Sequence, residues 1–125
     1  MLILSTTSQR IQCSVVSGTA TLGASASYVD INATTNAFVG VAGVLLADFT
    51  TTTQIVDPPA SGNARNVKHL VISNEDASNA STIIVWIYDA TNTCFQWRGT
   101  LASYERVILD ECGTWTYYAA DGTRK

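Results

Sequence analysis

Residues 82–88 read Thr-Ile-Ile-Val-Trp-Ile-Tyr, seven β-branched or aromatic side chains in succession. Such side chains suit a pleated, packed surface and lose rotamer freedom in a helix. The run is therefore a strand, and it needs other strands beside it to pair its backbone groups. Both of its faces are apolar: Ile83, Val85 and Ile87 on one, Ile84, Trp86 and Tyr88 on the other. An antiparallel sheet commonly turns one face to water. The second face is thus expected to be covered, by the chain's own loops or by another protein.

Similar runs recur at a spacing of roughly ten residues, the rhythm of a sandwich or barrel built from hairpins. Residues 66–73 carry Val67, Leu70, Val71 and Ile72, and residues 93–98 carry Phe95 and Trp97, expected on one face. Residues 104–109 and 114–119 complete the C-terminal half, and 121–122 (Asp-Gly) end the pattern. Asn, Asp, Ser and Gly fill the connections, as turn chemistry requires. Upstream, Ile11, Cys13 and Val15 alternate with Gln12 and Ser14, and residues 25–31 and 50–56 also read as strands. Residues 38–49 fit a strand bulged at Gly40 or Gly43, or a short helix over 43–48. The strand is favoured, because each glycine costs a helix about 1 kcal/mol. Asp57-Pro58-Pro59 and Gly62 force a loop, since proline cannot donate to a ladder. The chain has 125 residues, and each half alone would be a marginal domain. It is expected to be one all-β domain over 1–125, with loop 57–66 joining its two halves.

Charge is sparse and uneven. Charged residues make up 14% of the chain, against roughly 25% in ordinary soluble domains, and 17 Thr and 11 Ser take their place. Residues 1–64 hold only Arg10, Asp30, Asp48 and Asp57; the other thirteen charges lie in 65–125. With a net charge of −3 and no basic run, a nucleic-acid partner is not expected, because phosphate contacts need clustered Lys or Arg. The longest apolar run, residues 37–47, is about half of a membrane span, and the first residues lack the basic lead of a secretory signal. Cys13, Cys94 and Cys112 are far apart, so neither a zinc site nor a redox pair is indicated. Cys13 and Cys94 fit as small core residues.

Catalytic patterns are not apparent. The single histidine, His69, sits mid-strand beside Lys68, and no G-x-S-x-G elbow is present. Asp110-Glu111 and Glu75-Asp76 are adjacent acids in turns, where solvated carboxylates are ordinary. A cell-wall hydrolase would have to be built from such acids with Glu105. No catalytic residue, metal or cofactor is therefore expected. The last 40 residues gather Trp86, Trp97, Trp115, Tyr88, Tyr104, Tyr117 and Tyr118. These read first as core packing, and second as an exposed cluster for a protein or sugar.

Several segments together resemble a group of small tailed-bacteriophage virion proteins. They are residues 1–6, Gln-Cys-Ser-Val-Val at 12–16, Ala-Ser-Tyr-Val-Asp at 26–30, residues 65–74, Leu-Ala-Ser-Tyr-Glu at 101–105, Gly-Thr-Trp at 113–115, and 121–122. The resemblance covers most of the chain. It implies a β-sandwich or jelly-roll-like fold and a virion structural role, as a capsid cement or decoration protein or a tail-associated one. It further implies a location in the virion after synthesis in the host bacterial cytoplasm. The partners it implies are the major capsid protein or other virion proteins, with self-association into dimers or trimers, and no nucleic acid or membrane. With the charge-poor half and the doubly apolar strand, this nominates interface residues: Leu2, Ile3 and Leu4; Pro58, Pro59, Asn63 and Arg65 in loop 57–66; and Trp97 and Tyr118. A tail or fibre module reading host glycan is the alternative.

Overall fold

A computed structural model describes residues 2–125; Met1, the start of one segment of the resemblance, lies outside them. Ten strands occur among the described residues: β1 (Leu2–Leu4), β2 (Gln9–Gly18), β3 (Leu22–Asn32), β4 (Phe38–Phe49), β5 (Thr53–Val56), β6 (Asn63–Asn74), β7 (Ser81–Asp89), β8 (Asn92–Leu101), β9 (Arg106–Leu109) and β10 (Trp115–Tyr118). They form two antiparallel sheets. One runs β10-β9-β6-β3-β4, with β1 alongside the first residues of β6; the other runs β5-β2-β7-β8. The alternating Ile11 and Cys13 face inward as expected, and in β6 and β7 the structure selects one apolar face. Ile11 and Cys13 of β2, Leu70 and Ile72 of β6, and Ile83 and Val85 of β7 are fully buried between the sheets. The fold is the antiparallel β-sandwich predicted from the strand rhythm.

Sheet order turns the uneven charge of the sequence into a spatial division. β3 and β4 end one sheet, β2 and β5 end the other, and β5 touches both β3 and β4. One flank of the sandwich is therefore built from residues of the charge-poor half. The opposite flank pairs β10 with β8. There Trp97 of β8 stacks on Trp115 of β10 with ring centroids 6.5 Å apart, and meets Tyr117 edge-on at 6.1 Å. These rings close the gap between the two sheets on that side.

Several boundaries differ from expectation, each for a local reason. Loop 57–66 ends at Gly62, because Asn63, Ala64, Arg65 and Asn66 pair with Asn32, Ile31, Asp30 and Val29. The strand expected from 104 begins at Arg106: Tyr104 adopts φ 59° in a turn closed by the Glu105 amide donating to the Ala102 carbonyl. Phe95 and Trp97 do not share a face. The register shifts so that Trp97 opposes Val85 while Phe95 opposes Trp86, leaving Gln96 as the extra residue of a bulge. Cys94 is exposed rather than in the core, whereas Cys13 is buried, and burial pushes its thiol up to about 12. On the outer face of β7, Ile84, Trp86 and Tyr88 are half-buried, with side chains of the neighbouring strands against two of them. The Arg10 guanidinium lies 4.3 Å from the Tyr88 ring centre, and Phe95 meets Trp86 edge-on at 5.9 Å.

The end of the sandwich beyond β6 and β8 is fastened by polar groups. The Asn74 side-chain amide donates to the Asn79 and Leu101 carbonyls at 2.8 and 2.9 Å. Glu105, only 5% exposed, accepts from the Ala102 amide, the Tyr117 hydroxyl and the Lys125 ammonium. Burial alone would raise the Glu105 carboxyl, but these three donors outweigh it and hold the group below its ordinary value. A depressed carboxyl stabilises the fold above its unfolded pKa, and that contribution disappears as pH falls through the folded value. Glu105→Gln should thus lower stability by about 1–3 kcal/mol at neutral pH. Urea midpoints of the variant and the parent should converge below about pH 4. An undiminished gap there would show that the charge is not what binds these three groups.

Candidate interaction surface

The nominated interface residues fall into two sets. Leu4 is fully buried and Pro59 is buried, so neither side chain reaches the surface of the folded chain. Leu2 packs against the core. Arg65 is only 9% exposed and is consumed inside the fold. Its Nε and Nη2 each donate to an Asp30 carboxylate oxygen at 2.8 Å, its Nη1 donates to the Asp57 carbonyl at 2.8 Å, and the guanidinium lies 3.9 Å over the Tyr28 ring. The Asp30 hydrogen bond leads the effects that raise the Arg65 pKa above its ordinary value, over an opposing effect of burial. Trp97 belongs to the aromatic seal. Arg65 is engaged by Asp30 and Asp57 within the fold, and Trp97 stays half-buried in the flank. Ile3 is exposed, and Pro58, Asn63 and Tyr118 are half-buried. Tyr118 points outward beneath the Arg106 guanidinium, 5.5 Å from its ring centre.

The two most exposed of the large apolar side chains described, Leu45 and Phe38, lie elsewhere. On β4, Phe38, Val39 and Leu45 are 67%, 53% and 83% exposed. No ionisable residue occurs in 38–47. Leu45 opposes Ser25, which opposes Val71, which opposes Ile108, so one row crosses the outer face of the larger sheet with no charge in it. The parallel row through Val29 and Asn66 ends on the exposed Ile3. The sequence did carry this signal, in the apolar run 37–47. The run reads as a strand and is too short for a membrane span, and neither hydropathy nor alternation tells a central strand from an edge strand.

The acids considered for catalysis hold turns. The Asp110 carboxylate accepts from the amides of Cys112 and Thr114, and that of Asp76 from the amides of Ser78 and Asn79. Those backbone donors lower the Asp76 carboxyl to about 2. His69 is exposed on β6, opposite Ser27. Among the described residues, no group of three His, Cys, Asp or Glu side chains converges, and no cavity is present. No helix among them is long and apolar enough to cross a membrane. No family model, curated protein or solved structure matches the chain.

Proposed function

We propose that the chain is a non-enzymatic structural protein of a bacteriophage virion, of the capsid cement or decoration kind. Its partner would be the major capsid protein. Made in the host cytoplasm, it would add buried area across neighbouring capsid subunits, and repetition over the shell would multiply a modest contact. The observation that carries this proposal is the gathering of the charge-poor half onto one flank with Leu45, Phe38 and Val39 outward. Thr and Ser keep such a flank wet without the desolvation penalty that charges impose on docking. The nested pairs β2·β7 in one sheet and β3·β6 in the other favour a jelly-roll-like relationship. The purified chain should rebind capsids stripped of it, and Leu45→Lys should weaken that binding at least ~tenfold, because it brings a charge into a desolvated contact. Failure of the parent chain to bind stripped capsids would remove the cement role.

A tail or fibre module reading host glycan has one observation behind it. Phe95 is 55% exposed and stands against Trp86 on the outer face of β7 and β8, where a sugar ring could stack. Copy number separates the two. A stained gel of purified virions should show hundreds of copies per particle for cement and a dozen or fewer for a tail part.

A further inference from the structure

Among the described residues the main paths of the two sheets end in four edge strands, and three of them are closed to further pairing by features of their own; β1, beside β6, presents a further edge of only three residues. β5 has four residues and runs into Asp57-Pro58-Pro59, where two backbone donors are missing. β10 is covered by the chain's own C-terminus: Tyr118 bridges to Arg124, and the Lys125 amide donates to the Tyr117 carbonyl. β8 is interrupted by the bulge at Gln96 and carries the exposed Arg98. These are the devices by which sheets prevent unwanted pairing at their edges.

β4 differs. Among the described residues it pairs with β3 alone. Its register shifts only near its ends: Asp30 opposes Gly40 while Ile31 opposes Phe38, and Ala24 opposes Leu46 while Leu22 opposes Phe49. Between these bulges residues 40–46 run unbroken, without proline or charge, and Gly43 is the middle residue of the run.

We infer that β4 pairs with β4 of a second copy of this chain. The two strands would lie antiparallel about a two-fold axis near Gly43, joining two six-stranded sheets into one. A second copy is the occupant favoured by symmetry and charge. An antiparallel pairing centred on Gly43 sets the unbroken run against itself over its whole length, and it places no like charges opposite each other. Asp48, the nearest charge along the strand, lies within the bulge between Leu46 and Phe49 in each copy. The pairing is made through backbone groups, and the exposed Leu45 of each copy would gain cover beside the seam. Such a contact goes beyond the virion proposal, and it holds whether or not a capsid is the larger partner.

The test is the solution mass of the purified full chain, with no capsid present, so its outcome is separate from that of the binding assay above. The mass should be twice 13.4 kDa at about 100 µM and fall toward 13.4 kDa on dilution, as mass action requires. Successive residues of a strand point their amides to opposite sides, so Ala42→Pro and Leu45→Pro differ in which side loses its donor. One of them should stay folded and be monomeric. Phe95→Lys, on the edge of the other sheet, should remain dimeric. If neither proline variant folds, hydrogen exchange of the parent decides: β4 amides should be better protected at about 100 µM than at about 1 µM. The inference is overturned by a monomer at the higher concentration, by a dimer that a folded variant of each proline position retains, by assemblies beyond two, or by exchange that ignores concentration. A monomer that pairs β4 only with a strand of a different protein overturns it equally.

Discussion

Asp30→Asn should destabilise the isolated chain by about 3 kcal/mol, without any partner present. The Asp30 and Arg65 side chains are 18% and 10% exposed and share two hydrogen bonds of 2.8 Å. The substitution keeps the shape of Asp30 and removes its charge. Arg65 does not follow by losing its proton, because guanidinium stays charged throughout the accessible pH range. A cation is then left between the Tyr28 ring and the Asp57 carbonyl, with the weaker pull of the Asp57 carboxylate as its remaining counter-charge. Breaking one side of such a pair costs more than the pair contributes, since the survivor keeps its desolvation penalty. Arg65→Met should also destabilise. The double variant Asp30→Asn with Arg65→Met should be less damaged than the sum of the singles by about 1 kcal/mol or more, the signature of direct coupling. Urea unfolding of the four proteins supplies the cycle. An Arg65 that served only as a docking contact would leave the unfolding free energy near the parent value and alter binding alone.

Arg65 also marks what sequence could and could not disclose. The strands were legible because β-branched runs and turn residues are local signals, and Ile11 and Cys13 lie in the core as their alternation predicts. The partner of Arg65 is not local. Asp30 lies 35 positions away, and only the β3·β6 register sets the two opposite one another. Loop 57–66 as the prolines predict it runs four residues past Gly62, and the Arg65 charge falls inside it. The bulge at Gln96 is a second case of the same kind. A one-residue insertion moves Trp97 inward and leaves Phe95 outward, and no composition rule anticipates it. The charge-poor half is legible from composition alone, and the sheet order gathers it on one flank. Its avoidance of charge survives summation over many residues, whereas single contacts depend on pairing.

Trp97→Ala should destabilise the chain by about 3 kcal/mol, and Gly99 supplies the means to show why. Trp97 is half-buried at the flank, where Trp115 and Tyr117 from the other sheet lie against it. Removing the indole opens the seam between β8 and β10, and the remaining rings lose their partner across the sheets. The indole also lies back over Gly99. A Cβ at position 99 would come within 2.5 and 2.7 Å of two atoms of the Trp97 ring. A ring is rigid, so the clash has to be relieved by moving the whole indole out of its stack. Gly99→Ala alone should therefore cost about 1–3 kcal/mol, the range for overpacking. In the Trp97→Ala background the same change should be close to neutral, because the obstructing atoms are gone and a strand interior tolerates Ala better than Gly. Thermal or urea unfolding reads all four proteins. Equal penalties for Gly99→Ala in the two backgrounds would mean that the glycine is required by backbone conformation and not by the indole. A Trp97→Ala protein as stable as the parent would show that the indole does not hold the two sheets together at this flank.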